Sequence, residues 1–429
     1  MNRVILLALL VYLLLLAGIG TLNGPMVGLA VPLVLYLLAG LWGRPDPPVL
    51  QAERQLSVER VVPGDLVTIT LTVTNLGGDI EETILWDPLP FFLEVIQGNN
   101  SRVVSLRAGQ SLTWSYTVRG QRGYHLFEKL DVLATDRLGL MQKRAALPTS
   151  GQLLILPVAP RVRHIAIRPR QTRVYSGTIP ARQGGPGIEF FGVRAYQTGD
   201  TPRWINWRVS ARHTENLYTN EFEQERIADV GIILDGRRRV NQFGGGNTIF
   251  EHSVLATVAM ASALLADGNR VGLMVYGKSI QWTIPGYGKK QRERIMQALA
   301  MASIGENQLF AKLVIPRRLF PTHSQIILVS PLHDEDLSIL INLRLSGYQL
   351  LVVSPDPISF EARCLPDTPS VRLAARVARL DREVALRRLR RAGIQVVDWD
   401  VAQPFDWVVK SALSRPAGFL RALESRGGR

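Results

Sequence analysis

The stretch GIEFFGVRAYQTGDTPRWINWRVSARHTENLYTNEFEQERIADVGIILD, residues 187–235, decides how the chain is read. It closes on an apolar run, 230–235, that ends in an aspartate. Ahead of that run it gathers Arg194, Asp200, Arg203, Trp204, Trp207, Arg212, Glu221, Glu223 and Glu225. Guanidinium groups match carboxylates in planar two-point forks and stack on aromatic faces. A segment meant only to pack has little use for so many of these residues, so 187–225 is read as a folded connection docked on the domain that follows. Arg194, Arg203 and Arg212 are expected to fork onto Asp200, Glu223 or Asp235, with Trp204 or Trp207 stacked alongside. On that expectation Arg212→Ala or Glu223→Ala lowers the melting temperature markedly.

Downstream, apolar runs alternate with helical patterns. Strands are expected at 230–235, 270–276, 325–330, 349–354 and 395–399, and helices at 248–267, 289–304, 334–346 and 382–392. Such alternation predicts a mainly parallel, doubly wound α/β sheet, which binds ligands beyond the carboxyl ends of its strands. Upstream the period changes to two. LSVERVVPGDLVTITLTVTNLG (56–77), RVVSLRAGQSLTWSYTVRG (102–120) and LDVLATDRLGL (130–140) are short alternating strands punctuated by turns. They predict an immunoglobulin-like β-sandwich over 50–157. A basic connector, 158–187, joins it to the α/β domain, 188–412, and a basic tail, 413–429, ends the chain.

The N-terminus is more apolar than the rest. VILLALLVYLLLLAGIGTL (4–22) and MVGLAVPLVLYLLAGLW (26–42) are separated by Asn23, Gly24 and Pro25. Each approaches the roughly 20 residues that cross a bilayer as a helix. The expectation is a transmembrane helical hairpin over 1–43, favoured over a cleaved signal peptide. Arg3 and Arg44 flank it and the turn carries no charge, so both ends and the soluble domains are expected on the cytoplasmic side of the cell membrane.

The net charge is +14 and the chain has one cysteine, Cys364, which excludes an internal disulfide framework and a cysteine-based zinc site. Two stretches carry the charge. Residues 137–188 hold nine Lys or Arg and no acid, and 372–391 hold eight Arg against two acids. They are read as a solvated surface, or as attraction to anionic lipid headgroups or an acidic partner. No zinc finger or aromatic-interleaved basic repeat points to nucleic acid.

G-x-E-F, R-x-Y-x-x-G-D, R-x-I-x-W, S-A-R and F-E-x-E follow in order, carried by Gly187, Glu189, Phe190, Arg194, Tyr196, Gly199, Asp200, Arg203, Ile205, Trp207, Ser210, Ala211, Arg212, Phe222, Glu223 and Glu225. The pattern resembles the signature of the prokaryotic "domain of unknown function 58" family. The resemblance extends upstream through RGQRGYHLF (119–127) and downstream into an α/β region similar to a von Willebrand factor A domain. It implies no established activity. It does imply a partner, because members of the family are typically encoded beside MoxR-type AAA+ ATPases.

An A-type domain holds Mg²⁺ at its strand ends through Asp-x-Ser-x-Ser, a threonine and a further aspartate. Here Asp235 is present, but Arg237 and Arg239 stand at the serine positions. Thr248 matches the threonine. The strand 325–330 runs on into Pro331 and Leu332 instead of an aspartate, and Asp334 reads as a helix start. A hard cation needs converging oxygens. No metal and no cofactor is therefore expected, and Asp235 is expected to fork with Arg237, Arg239 or an arginine of 194–212. The six histidines show no ligand spacing, and neither a nucleophile elbow nor a Walker loop is present. The function expected is a membrane-tethered, non-enzymatic scaffold working with a MoxR-type ATPase in assembly or maturation of a client complex. The alternatives are an enzyme whose site around Glu189, Asp200 and Glu223 is completed by a partner, and an envelope-facing adhesion or stress module.

Overall fold

The computed structural model describes residues 3–42, 48–135, 142–158, 162, 165, 173–213, 216–243, 248–306, 315–317, 319–322 and 324–413; of 3, 41–42, 173–189, 191 and 223–227 it describes the backbone alone. The expected tail, 413–429, lies outside this set beyond its first residue. The chain divides into two compact units, Met1–Leu156 and Pro157–Arg429.

The first unit opens with helices α1 (Arg3–Gly20) and α2 (Gly24–Trp42), which pack on each other. The hairpin forms, but its reading as a membrane crossing is corrected. Among the described residues no helix is long and apolar enough to cross a membrane. With 18 and 19 residues, the two helices rise about 27–29 Å, short of the hydrocarbon thickness of about 30 Å. α2 also carries Pro32, which removes a backbone donor from its interior. The multi-pass localisation and the sidedness drawn from Arg3 and Arg44 fall with the spans.

Nine strands follow: β1 (Leu50–Leu56), β2 (Arg60–Val61), β3 (Val67–Asn75), β4 (Ile80–Trp86), β5 (Leu93–Gln97), β6 (Ser101–Leu106), β7 (Ser111–Gly120), β8 (Gly123–Thr135) and β9 (Gln142–Ile155). They form two sheets, ordered β1-β3-β7-β5 and β2-β9-β8-β4-β6. The period-two pattern of β3 sends Val67, Ile69, Leu71 and Val73 inward, against Leu85, Leu130, Val132, Leu153 and Ile155 of the other sheet. This core encloses a buried ion pair. Arg54 Nη2 donates to Asp87 Oδ1 at 2.6 Å, and the Tyr116 hydroxyl donates to Asp87 Oδ2 at 2.6 Å. Arg54 also donates to the carbonyls of Thr149 and Lys129, and its guanidinium lies 4.8 Å from the Phe127 ring centroid. Burial, then the neighbouring carboxylate, push the Tyr116 phenol up, so it remains a donor.

The second unit begins with a hairpin, β10 (Arg173–Ala195) against β11 (Tyr218–Ile227). From 173 onward the expected connector is thus strand, and its earlier part falls mostly outside the described residues. The hairpin runs into β12 (Asp229–Asp235), then α4 (Arg238–Asn241), α5 (Phe250–Ala266), β13 (Arg270–Tyr276), β14 (Ile280–Gly286), α6 (Gly288–Met301), β15 (Gln325–Val329), α7 (Asp336–Leu345), β16 (Gln349–Pro355), α8 (Pro357–Cys364), α9 (Pro369–Arg391), β17 (Gln395–Trp399) and α10 (Phe405–Leu413); the short α3 (Trp207–Ser210) lies between β10 and β11. The sheet order is β14-β13-β12-β15-β16-β17, parallel throughout except for the antiparallel edge strand β14. Alternate residues of β12 feed opposite faces. Ile232 and Leu234 pack with α5, α6 and α10, while Ile233 packs with α7 and α9.

Two glycines, cross-strand partners Gly231 and Gly272, make room for the Phe320 ring. A Cβ at Gly231 would lie 2.7 Å from Phe320 Cδ1, and one at Gly272 2.8 Å from Phe320 Cε1. The ring is fully buried and has nowhere to go. Gly231→Ala is therefore expected to cost about 1–3 kcal/mol through overpacking, read as a lowered denaturant midpoint. The additional variant Phe320→Leu should recover part of that loss, and no recovery would remove the steric explanation.

Candidate functional site

β13 lies on one side of β12 and β15 on the other, so the chain reverses direction across the sheet between them. Ligands of open α/β sheets bind at such a switch point, beyond the carboxyl ends of the strands. In this chain a guanidinium stands there. Asp235 ends β12, and Gly236 brings the chain round so that Arg237 folds back on it. Arg237 Nε donates to Asp235 Oδ1 at 2.9 Å and Nη2 to Asp235 Oδ2 at 2.7 Å. Its outer edge forks onto Asp336, with Nη1 to Oδ1 at 3.0 Å and Nη2 to Oδ2 at 2.7 Å. The side chains are 3% exposed for Arg237 and 0% for both aspartates.

Further donors converge on both carboxylates. Asp235 Oδ1 accepts from Arg237 N at 3.0 Å and Oδ2 from Ser330 Oγ at 2.7 Å. Asp336 Oδ2 accepts from His333 N at 2.9 Å, which fixes the first turn of α7. Asn241 Nδ2 ties down the carbonyls of Asp235 and Arg237. Burial opposes the charge on Arg237, yet the hydrogen bonds it donates to Asp235 and Asp336 outweigh that and raise its pKa. The donor set of Asp235, Ser330 and Asp336 is that of a hard cation, but an arginine already sits among them, so a Mg²⁺ ion does not fit.

The fork of Asp235 with Arg237 is one of the pairings the sequence allows. Asp336 is the residue that sequence reasoning missed. The A-type pattern looks for an acid directly after the strand at 325–330, whereas the chain supplies it from the start of α7; the acidic cluster Asp334-Glu335-Asp336 was the available signal. Arg239 points outward to Glu335 at 2.7 Å, and the Thr248 hydroxyl accepts from Phe250 N at the start of α5.

The signature segment forms a second cluster, at the closed end of the β10–β11 hairpin. Arg194 forks onto Asp200, Nη1 to Oδ2 at 2.8 Å and Nη2 to Oδ1 at 2.6 Å, with Glu221 3.7 Å from its Nε. Gln197 N donates to the same carboxylate, and the Tyr196 hydroxyl donates to the Asp200 carbonyl. Gly199, at φ +112°, makes the turn that returns Asp200 to Arg194. Ser210 Oγ accepts from Tyr218 N at 2.9 Å, and the Trp204 and Phe222 rings meet edge to face at 5.5 Å. Arg203 and Arg212 are exposed and pair with neither Asp200 nor Asp235 among the described residues; their expected fork onto Glu223 falls on a side chain outside those residues. Trp207 and Phe190 are likewise exposed, at 67% and 61%. The side chains of Glu189, Glu223 and Glu225 lie outside the described residues.

The Arg194 fork, then the Gln197 amide, hold the Asp200 carboxyl below its ordinary 3.8. A depressed carboxylate contributes stability that is complete above the unfolded value and is lost as pH falls through the folded one. In a carboxyl titration by NMR, Asp200 should therefore have a midpoint below 3.8, and Arg194→Gln should move it upward. A midpoint indifferent to Arg194→Gln would remove the fork from solution.

"Uncharacterized protein YeaD" of Bacillus subtilis (strain 168) is 28% identical over 277 residues, covering 63% of this chain and 67% of that protein. Among solved structures, the CARDB domain of the PF1109 protein from Pyrococcus furiosus, in complex with di-metal ions, is 15% identical and covers 25% of this chain and 93% of its own, at a TM-score of 0.18. A FixG-related protein from Vibrio parahaemolyticus is 13% identical over 26% of this chain and 98% of its own, at 0.17. Such slight structural likenesses carry no argument. The sequence match does: residues 192–353, which hold Arg194, Asp200, Asp235, Arg237 and Asp336, match the family described as "Protein of unknown function DUF58".

Proposed function

We propose that this protein is a non-enzymatic scaffold built on a degenerate von Willebrand factor A-like domain, working with a MoxR-type AAA+ ATPase in assembly or maturation of a client complex. The observation that carries the reading is Arg237, clamped between Asp235 and Asp336 where an A-type domain would hold its ion. An ion with an open position captures a partner's carboxylate. A guanidinium whose forks are already filled captures nothing, so recognition passes to exposed side chains. The signature segment offers them in Phe190, Arg203, Trp207 and Arg212. Exposed aromatics and arginines are the residue types that dominate protein interfaces. The enzyme alternative gains no support from Asp200, whose carboxylate is taken up by Arg194 and Gln197.

Co-elution of the purified full chain with a purified MoxR-type ATPase, with and without ATP, tests the proposal. The expected result is a complex that Trp207→Ala and Arg212→Ala weaken at least about tenfold with melting unchanged, as exposed anchors do. Failure of the wild-type chain to bind the ATPase in either nucleotide state would overturn it.

A further inference from the structure

α9 has two apolar faces, and the fold uses one. At about 100° per residue, Arg382, Leu386 and Leu389 share the face toward the sheet; both leucines are buried, and Arg382 reaches Asp398 and Ser354. On the opposite face Leu373, Val377, Leu380 and Val384 are 61%, 53%, 63% and 50% exposed. Their spacing of four, three and four is that of the seam of a coiled coil, with Leu373 and Leu380 at d and Val377 and Val384 at a. β-branched residues at a with leucines at d are the composition of two-stranded parallel coils. An exposed seam of this regularity on a surface helix is unusual in a protein that stays alone.

The charges beside the seam select what covers it. Arg376 and Glu383 occupy g, and Asp381 and Arg388 occupy e. In a parallel, in-register pair each g residue faces the e residue five positions on in the other helix. Arg376 then meets Asp381, and Glu383 meets Arg388, opposite signs in both cases. Arg376, Asp381 and Arg388 make no ion pair among the described residues. Glu383 is shared with Arg387 of its own helix. An antiparallel pair would instead set g against g and e against e, which matches Arg376 with Glu383 but leaves Asp381 and Arg388 without opposite charges.

We propose that the outward face of α9 is a self-association surface, on which a second copy of this chain docks α9 against α9, parallel and in register. The seam from 373 to 384 is about 17 Å long, so the contact is modest and concentration-dependent.

Sedimentation of the full chain over a concentration series tests it. The wild type is expected to double its mass as concentration rises. Leu380→Glu puts a charge in place of one apolar side chain from each copy, and should weaken association by about 100-fold or more. Because Leu380 is exposed, the melting curve should not move. Arg376→Glu should also weaken the pair, and adding Asp381→Arg should restore it, since only the parallel register sets these positions against each other. With Cys364→Ser as background, Val377→Cys should form an intermolecular disulfide. A chain that stays monomeric at all concentrations overturns the proposal, as does a dimer indifferent to Leu380→Glu or one that Asp381→Arg does not rescue. Binding of a monomer to anionic phospholipid vesicles, abolished by Leu380→Glu, would give the stripe to a lipid surface instead.

Discussion

Arg237→Ala is expected to destabilise the α/β unit by about 3–5 kcal/mol, the cost of leaving buried charge without its partner. Asp235 and Asp336 are both fully buried, and the same guanidinium nitrogen lies 2.7 Å from an oxygen of each. Without Arg237 the two carboxylates face each other with, among the described residues, only Ser330 Oγ and backbone amides as donors. The loss is a large part of the 5–15 kcal/mol that holds a typical domain together. Arg237→Lys should recover only a fraction, because an ammonium is a point charge and cannot satisfy two forks. Chemical denaturation followed by tryptophan fluorescence reads the effect, and a loss below about 1 kcal/mol would reduce the cluster to an ordinary surface pair. Asp336 also bears on Arg237→Ser. Read from the sequence, restored serines do not recreate an ion site, because the aspartate expected near 331 is missing. With Asp336 in place, Arg237→Ser should regain about 1 kcal/mol in Mg²⁺ at ten times its dissociation constant, and an unchanged midpoint would return the argument to the sequence expectation.

The β-sandwich should respond comparably to Asp87→Ala. Arg54 and Asp87 are fully buried, and no solvent screens them. Removing the carboxylate strands a cation between two sheets and also orphans the Tyr116 hydroxyl, again at about 3–5 kcal/mol. Tyr116→Phe removes only one hydrogen bond, leaves the ion pair intact, and should cost about 1–2 kcal/mol. The ordering of the two variants is the discriminating result. If Tyr116→Phe proves the more damaging, ring packing and not the charge pair holds this part of the core.

Both losses trace to residues that the sequence treats very differently. Asp235 and Arg237 are two positions apart, and their fork is one of the few local pairings the sequence offers. Arg54 and Asp87 are 33 positions apart, one inside β1 and the other just past the end of β4, and strand alternation predicts only which side chains face inward. An arginine at an inward position reads as a fault in the pattern until Asp87 is placed opposite. The parallel strands and most helices were legible for the same reason as the first fork, since local period and apolar length specify them. β14 was not, because its alternation breaks at Pro285 and it pairs antiparallel at a sheet edge. α9 starts at Pro369, well before the expected 382, because half of it carries an exposed stripe that no core periodicity reveals. In the signature segment composition identified forks correctly for Arg194. It did not foresee that Arg203 and Arg212 are exposed, since sequence cannot say which side chains of a turn face solvent.

An edge held by a metal is governed by supply. It can be stripped by a chelator, exchanged for a competing ion, or left half-loaded. The edge at Asp235 carries its cation on the backbone, one for every chain synthesised, and arginine keeps its charge across the whole pH range in which proteins stay folded. At this edge the α/β unit therefore has no loading state for the cell to adjust.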